Sequence, residues 1–178
     1  MNAWLRPATS ERRIGVKGKH AAQLLTELGL LVPRRPNAWL PLRAADRDDS
    51  PNVIARLGNT EFFIEEQGDA PGIAALEARL AEPLDGAYPV LREDVALEIG
   101  GVGAADVLAQ VCNVDLAALD TATKPIVMTL MIGIGVLVLP QRRDDGTVYR
   151  IWCDPTLGAT LESELEEIIK ELSAGSTQ

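Results

Sequence analysis

The feature that most restricts what this chain can fold into is an internal repeat. Ala21, Leu24, Leu25 and Leu28 recur at i, i+3, i+4 and i+7, the stripe of an amphipathic helix, and Ala104, Val107, Leu108 and Val111 form the same stripe. Each stripe follows a short apolar stretch and a glycine, Ile14-Gly15-Val16-Lys17-Gly18 in one case and Leu97-Glu98-Ile99-Gly100-Gly101 in the other, at a constant offset of 83 residues. Further on, Gly58 to Ile64 parallels Asp145 to Ile151, with Thr60 and Thr147 offset by 87, and both segments read as the second strand of a hairpin. Leu76-Glu77-x-x-Leu80 and Leu161-Glu162-x-x-Leu165 then close the two copies with a helix; in the last one Leu161, Leu165, Ile168, Ile169 and Leu172 share a face. The expectation is an α+β chain of two similar strand-helix-hairpin-helix halves, about 10–82 and 89–173. Pro83-Leu84-Asp85-Gly86-Ala87-Tyr88-Pro89 supplies the Pro and Gly punctuation of a linker between them. Arg143-Asp144-Asp145-Gly146 reads as the turn of a hairpin.

Such a chain, 178 residues with 47% apolar side chains, can bury a core without a disulfide or metal staple. Cys112 and Cys153 lie far apart with no Cys-x-x-Cys spacing, which suits reduced, buried thiols and a cytoplasmic location. Met1 to Arg13 lacks the apolar core of an export signal, and the longest apolar run, Ile126 to Leu139, falls short of the roughly 20 residues that cross a bilayer. A formal charge of −9 argues against nucleic acid as a partner, because sequence-independent binding rests on a basic surface. The charge is uneven: Met1 to Arg43 carries eight Lys or Arg against only Glu11 and Glu27. These cations are either solvated or meet an acidic partner, and Arg12, Arg13, Arg34 and Arg35 are the candidates for such an interface.

No catalytic, cofactor-binding or metal-binding residue can be assigned from the sequence. His20 is the single histidine and, at the start of the first helix, reads as a surface or capping residue; with two scattered cysteines it forms neither a zinc site nor a nucleophile-base pair. Gly100-Gly101-Val102-Gly103 follows a strand and precedes a helix, yet the third glycine of a dinucleotide-binding turn is replaced by Asp106, whose carboxylate would oppose a pyrophosphate. These glycines therefore read as a tight turn. Asp48-Asp49, Glu65-Glu66 and Asp144-Asp145 are not acid-base pairs, since neighbours on a strand point to opposite faces and pairs in loops are solvated. Trp39, within the proline-bracketed Pro36 to Pro41, is expected outside regular structure, where it either anchors a partner or caps its own core.

Val90-Leu91-Arg92-Glu93-Asp94-Val95, the Gly-x-x-Ala-x-x-Val-Leu helix start from Gly101 to Leu108, and Cys112-Asn113-Val114-Asp115-Leu116 carry a family resemblance. It continues through the strands Met128 to Leu139 and Tyr149 to Cys153 and the closing helix. This second half resembles the gamma subunit of heterotetrameric sarcosine oxidase, and Arg13 to Leu80 is compatible with the same family. That family is similar in fold to the folate-binding domain of the glycine-cleavage aminomethyltransferase. The resemblance implies a single folate-binding-domain-like unit over 1–178, acting as an accessory subunit that is not catalytic alone. Its partners would be the larger flavoprotein subunits of a cytoplasmic complex that oxidatively demethylates an N-methyl amino acid. Flavin, NAD and tetrahydrofolate would be held by those partners, with no cofactor on this chain and no membrane attachment. Two departures weigh against folate chemistry here. Aminomethyltransferases carry an aspartate pair just before the strand corresponding to Glu61 to Glu65, whereas Pro51 to Leu57 has no carboxylate, and the chain ends soon after its second repeat, where those enzymes add a barrel domain. The alternative is a stand-alone folate-binding protein or aminomethyltransferase-like enzyme, for which Glu98 or Asp94 would have to supply a convergent carboxylate in an apolar pocket.

Overall fold

The computed structural model describes residues 2–8, 12–82 and 84–175. The chain forms two compact units, Thr9–Glu93 and Met1–Ala8 together with Asp94–Gln178, each a five-stranded antiparallel sheet with two α-helices. β1 (Trp4–Pro7) belongs to the second unit. The first unit runs β2 (Arg12–Lys17), α1 (Ala21–Glu27), β3 (Ala38–Pro41), β4 (Val53–Arg56), β5 (Glu61–Glu66), α2 (Pro71–Leu80) and β6 (Tyr88–Val90). Its sheet order is β3-β4-β5-β2-β6. Alternation places Ile14, Val16, Phe62 and Ile64 on the face that packs with Leu24 and Leu25 of α1 and Ile73 and Leu76 of α2.

The second unit continues with β7 (Val95–Gly100), α3 (Ala104–Val111), a 3₁₀ turn at Thr121–Thr123, β8 (Val127–Met131), β9 (Ile134–Arg143), β10 (Gly146–Cys153) and α4 (Gly158–Gly175). Its order, β8-β9-β10-β7-β1, matches that of the first sheet strand for strand. Leu97, Ile99, Val138 and Ile151 form a core with Val107 and Leu108 of α3 and Leu161 and Leu165 of α4. The opposite face of each sheet is buried too, through Val53, Phe63 and Glu65 in the first unit and Leu139, Arg150 and Trp152 in the second. Strands buried on both faces explain why their sequences read as apolar runs with little alternation.

Pairing register follows the sequence repeat. Ile14 faces Ile64 across β2 and β5, and their equivalents at offsets of 83 and 87, Leu97 and Ile151, face each other across β7 and β10. Each half holds a three-stranded meander between its helices where a two-stranded hairpin is expected. Two segments depart further from the sequence reading. Pro36 to Pro41 is only partly irregular: after a turn at Pro36 and Asn37, Ala38–Pro41 is β3, which pairs with β4 at the edge of the sheet, where a proline's missing N–H costs least. The Pro/Gly stretch between the repeats also does more than link, since Tyr88–Val90 pairs with β2, and the first unit runs on to Glu93.

The fifth strand of each sheet comes from the other repeat's leader. β1, which precedes the first repeat, pairs with β7, while β6, which precedes the second, pairs with β2. Gly100 and Gly101 make this exchange sterically feasible. A Cβ on Gly100 would lie 2.3 Å from Cζ2 of Trp4, and one on Gly101, whose φ is +90°, would lie 2.4 Å from the Asn2 carbonyl oxygen. The glycines read from sequence as a tight turn are therefore also the bed on which β1 lies.

Candidate functional site

The most heavily charged constellation in the second unit is built on the β7 residue Glu98, buried on the sheet face away from the helices. Register places Arg6 of β1 and Arg150 of β10 directly opposite it, one on either side. Arg6 donates to Oε2 from Nε at 3.1 Å and Nη2 at 2.7 Å, and Arg150 donates to Oε1 from Nε at 3.3 Å and Nη2 at 3.0 Å. Arg143, at the end of β9, spans both oxygens from Nη1 at 3.2 Å and Nη2 at 2.5 Å, and also donates to the buried Gln141 side chain. Burial pushes the Glu98 carboxyl up, but hydrogen bonds from Arg143 and Arg6 and the charge and hydrogen bonding of Arg150 outweigh it and hold the pKa at about 2. Two tryptophan faces lie beside the guanidinium groups: Arg6 sits 4.8 Å from the Trp4 ring centroid and Arg150 sits 5.9 Å from that of Trp152. A carboxylate committed in this way is a structural tie between strands. It has no lone pair to spare for orienting a pterin, and Asp94, four residues earlier, lies about 13 Å away along an extended strand and does not converge with it.

The first unit carries its own buried carboxylates. Glu65 accepts from Arg13 Nε at 2.6 Å. Glu66 accepts the Ile73 N–H at 2.9 Å, which caps the first turn of α2, and is ion-paired with Arg43. Burial together with Asp94 and Asp154 pushes the Cys153 thiol up, as in an unreactive buried cysteine. Among the described residues no group of three His, Cys, Asp or Glu side chains could hold a metal ion, and no helix is long and apolar enough to cross a membrane.

The residues put forward from sequence as an interface scatter. Trp39 is 2% exposed in β3, so its ring presents no surface to a partner, which corrects the anchor reading in favour of the core one. Arg13 is largely buried in its pair with Glu65 and is not a surface cation either. Arg12 is partly exposed and ion-paired with Glu77 of α2; Arg34 and Arg35 are exposed in the turn before β3. His20 does not cap α1 with its side chain: Nδ1 donates to the Asp85 carbonyl at 3.0 Å. Sequence reasoning missed a groove of about 480 Å³ in the first unit, bordered by Arg13 and Ile14 of β2, Leu80 and Ala81 at the end of α2, and Val90 to Arg92.

No protein-family model matches the chain, and no curated protein sequence does. Solved structures do. A chain of heterotetrameric sarcosine oxidase from Corynebacterium sp. U-96, in complex with pyrrole 2-carboxylate, superposes with a TM-score of 0.74 at 19% identity, over 96% of this chain and 85% of that one. This is the aminomethyltransferase-like fold. Glycine cleavage system aminomethyltransferase T from Bartonella henselae shares it with a TM-score of 0.66 at 18% identity, over 92% of this chain but only 45% of that one. An aminomethyltransferase-like fold is what the family resemblance implied, and at these identities the likeness speaks for the fold alone. This chain spans 85% of the sarcosine oxidase chain and less than half of the aminomethyltransferase.

Proposed function

We propose that this chain is a non-catalytic, gamma-like accessory subunit of a heteromeric, flavin-dependent complex of the sarcosine oxidase type, one that oxidatively demethylates an N-methyl amino acid. The observation that carries the reading is the fold shared with a chain of a heterotetrameric sarcosine oxidase over 96% of this chain and 85% of that one. Support comes from Glu98: the carboxylate a folate site would have recruited is consumed by Arg6, Arg143 and Arg150. In this reading the chain stabilises larger cytoplasmic flavoprotein subunits, and flavin, NAD and tetrahydrofolate reside on them.

Co-expression with the neighbouring genes, capture through a tag on this chain, and a visible absorption spectrum of the captured material test the proposal. The expected result is a stoichiometric complex with a flavin spectrum that oxidises N-methyl amino acids. A colourless monomer that binds tetrahydrofolate alone would overturn it in favour of a stand-alone folate protein.

A further inference from the structure

Each sheet ends in two edge strands, β1 and β8 in the second unit and β3 and β6 in the first. An edge strand presents unpaired N–H and C=O groups, and prolines and charges are the usual guards against another strand pairing there. β1 carries Arg6 and Pro7, β3 carries Pro41, and β6 carries Pro89. β8, the longest of these edges at five residues, has neither a proline nor a charge, and no charged residue occurs from Pro125 to Gln141. Its two faces differ. Val127 and Met131 join the core that holds α3 and α4, whereas Met128 and Leu130 point to the other face and are 55% and 60% exposed. Gly135, opposite Leu130 on β9, has no side chain to cover it, and the exposed Ile132 carries the apolar strip into the turn.

Backbone geometry restricts what can sit on this edge. Met131 bridges Cys112 and the Ile132 N–H donates to the Val111 carbonyl at 3.0 Å, which closes the edge at that end. Two-residue alternation then turns the N–H and C=O of Met128 to the same side, where no further strand lies among the described residues. A row of such groups takes a strand, not a small metabolite. Charge and symmetry say which strand. Each copy carries a formal charge of −9, so acidic faces of two copies repel, while this strip is neutral; read antiparallel against itself, it sets Met128 on Met128 and Leu130 against Ile126. We propose that β8 pairs with β8 of a second copy about a two-fold axis at Met128, with Met128 and Leu130 of both copies forming one apolar strip. This pairing is independent of the accessory-subunit reading.

Light scattering of the purified chain on serial dilution, with thermal melting alongside, tests this. Wild type should approach twice 19.1 kDa at high concentration and fall toward the single mass on dilution. Leu130→Lys, which sets two ammonium groups on the shared strip, should raise the dimer dissociation constant about tenfold or more and keep the monomer's Tm, because the side chain is solvated. Register is read with Met128→Cys. A hydrogen-bonded antiparallel pair holds its Cα atoms about 5.5 Å apart, within disulfide reach, so this variant should cross-link on oxidation, while Leu91→Cys, exposed in the first unit, should not at the same concentration. A wild-type chain that stays monomeric at every concentration, a dimer that Leu130→Lys leaves intact, or a dimer in which Met128→Cys fails to cross-link overturns the proposal. So does a co-expressed protein whose capture, in place of self-association, is lost in Leu130→Lys, since the strip then belongs to that partner. The accessory-subunit reading is decided separately, by the flavin spectrum of the captured material.

Discussion

Glu98 shows how much a single side chain can hold in this fold. Its folded-state pKa lies near 2 against an ordinary 4.5, and a shift of that size corresponds to about 3 kcal/mol of stability in the ionised form. Because the folded value is the lower one, the contribution is full above about pH 4.5 and is lost as pH falls toward 2. Glu98→Gln, which leaves three guanidinium groups around a neutral acceptor, should lower the unfolding free energy at pH 7 by about 3 kcal/mol. The gap between variant and wild type, measured by urea unfolding, should narrow from pH 5 downward; a gap that stays constant to pH 3 would mean that charge is not its source. Sequence could single out Glu98 as a strand carboxylate but not its partners, which lie 92, 45 and 52 residues away and meet it only through sheet register. Trp39 was misplaced for a related reason: two prolines three and two positions away disfavour regular structure locally, and only the edge position of β3 removes the objection.

At the scale of elements, the helices were the legible part. The stripes of α1, α3 and α4 depend on i, i+3 and i+4 contacts within one segment, and Leu24, Leu108 and Leu161 are buried as the stripes require. Strand ends were less so, because where a strand starts and stops depends on what lies beside it. β1 is the sharpest case: Trp4–Pro7 carries no strong strand signal and is held in place by the surface it meets on β7. Gly100→Ala should therefore act on β1 first. The added Cβ would stand 2.3 Å from the Trp4 indole, so the ring has to move, and overpacking of this kind costs about 1–3 kcal/mol. Hydrogen exchange should quicken in Trp4–Pro7 and along the β7 edge while Glu61–Glu66 of the first unit keeps its protection. Unchanged exchange at β1 would show that the strand is held by something other than its fit on Gly100.

At the scale of the whole chain, the duplication was visible and the exchange of leading strands was not. Offsets of 83 and 87 follow from the residues alone, whereas a choice between pairing β1 with β2's sheet or with β7's leaves no mark on periodicity. The exchange has a mechanical consequence. A cut at the Pro/Gly stretch after residue 82 yields an N-terminal piece that carries β1 but lacks β6, and a C-terminal piece that carries β6 but lacks β1. Each piece then holds four strands of its own sheet with the inner edge, β2 or β7, exposed, plus one strand that fits only the other piece; bare edges of this sort pair with whatever strand is available. Expressed alone, the pieces should be poorly soluble, and co-expressed they should purify together as a one-to-one pair. Moving the cut to follow residue 93 should change the balance, because β6 then stays with β2 and the first unit keeps all five strands, while the second still lacks β1. If the pieces cut after residue 82 purify separately, each soluble and folded, the edge strands are dispensable and the exchange does not hold the two repeats together.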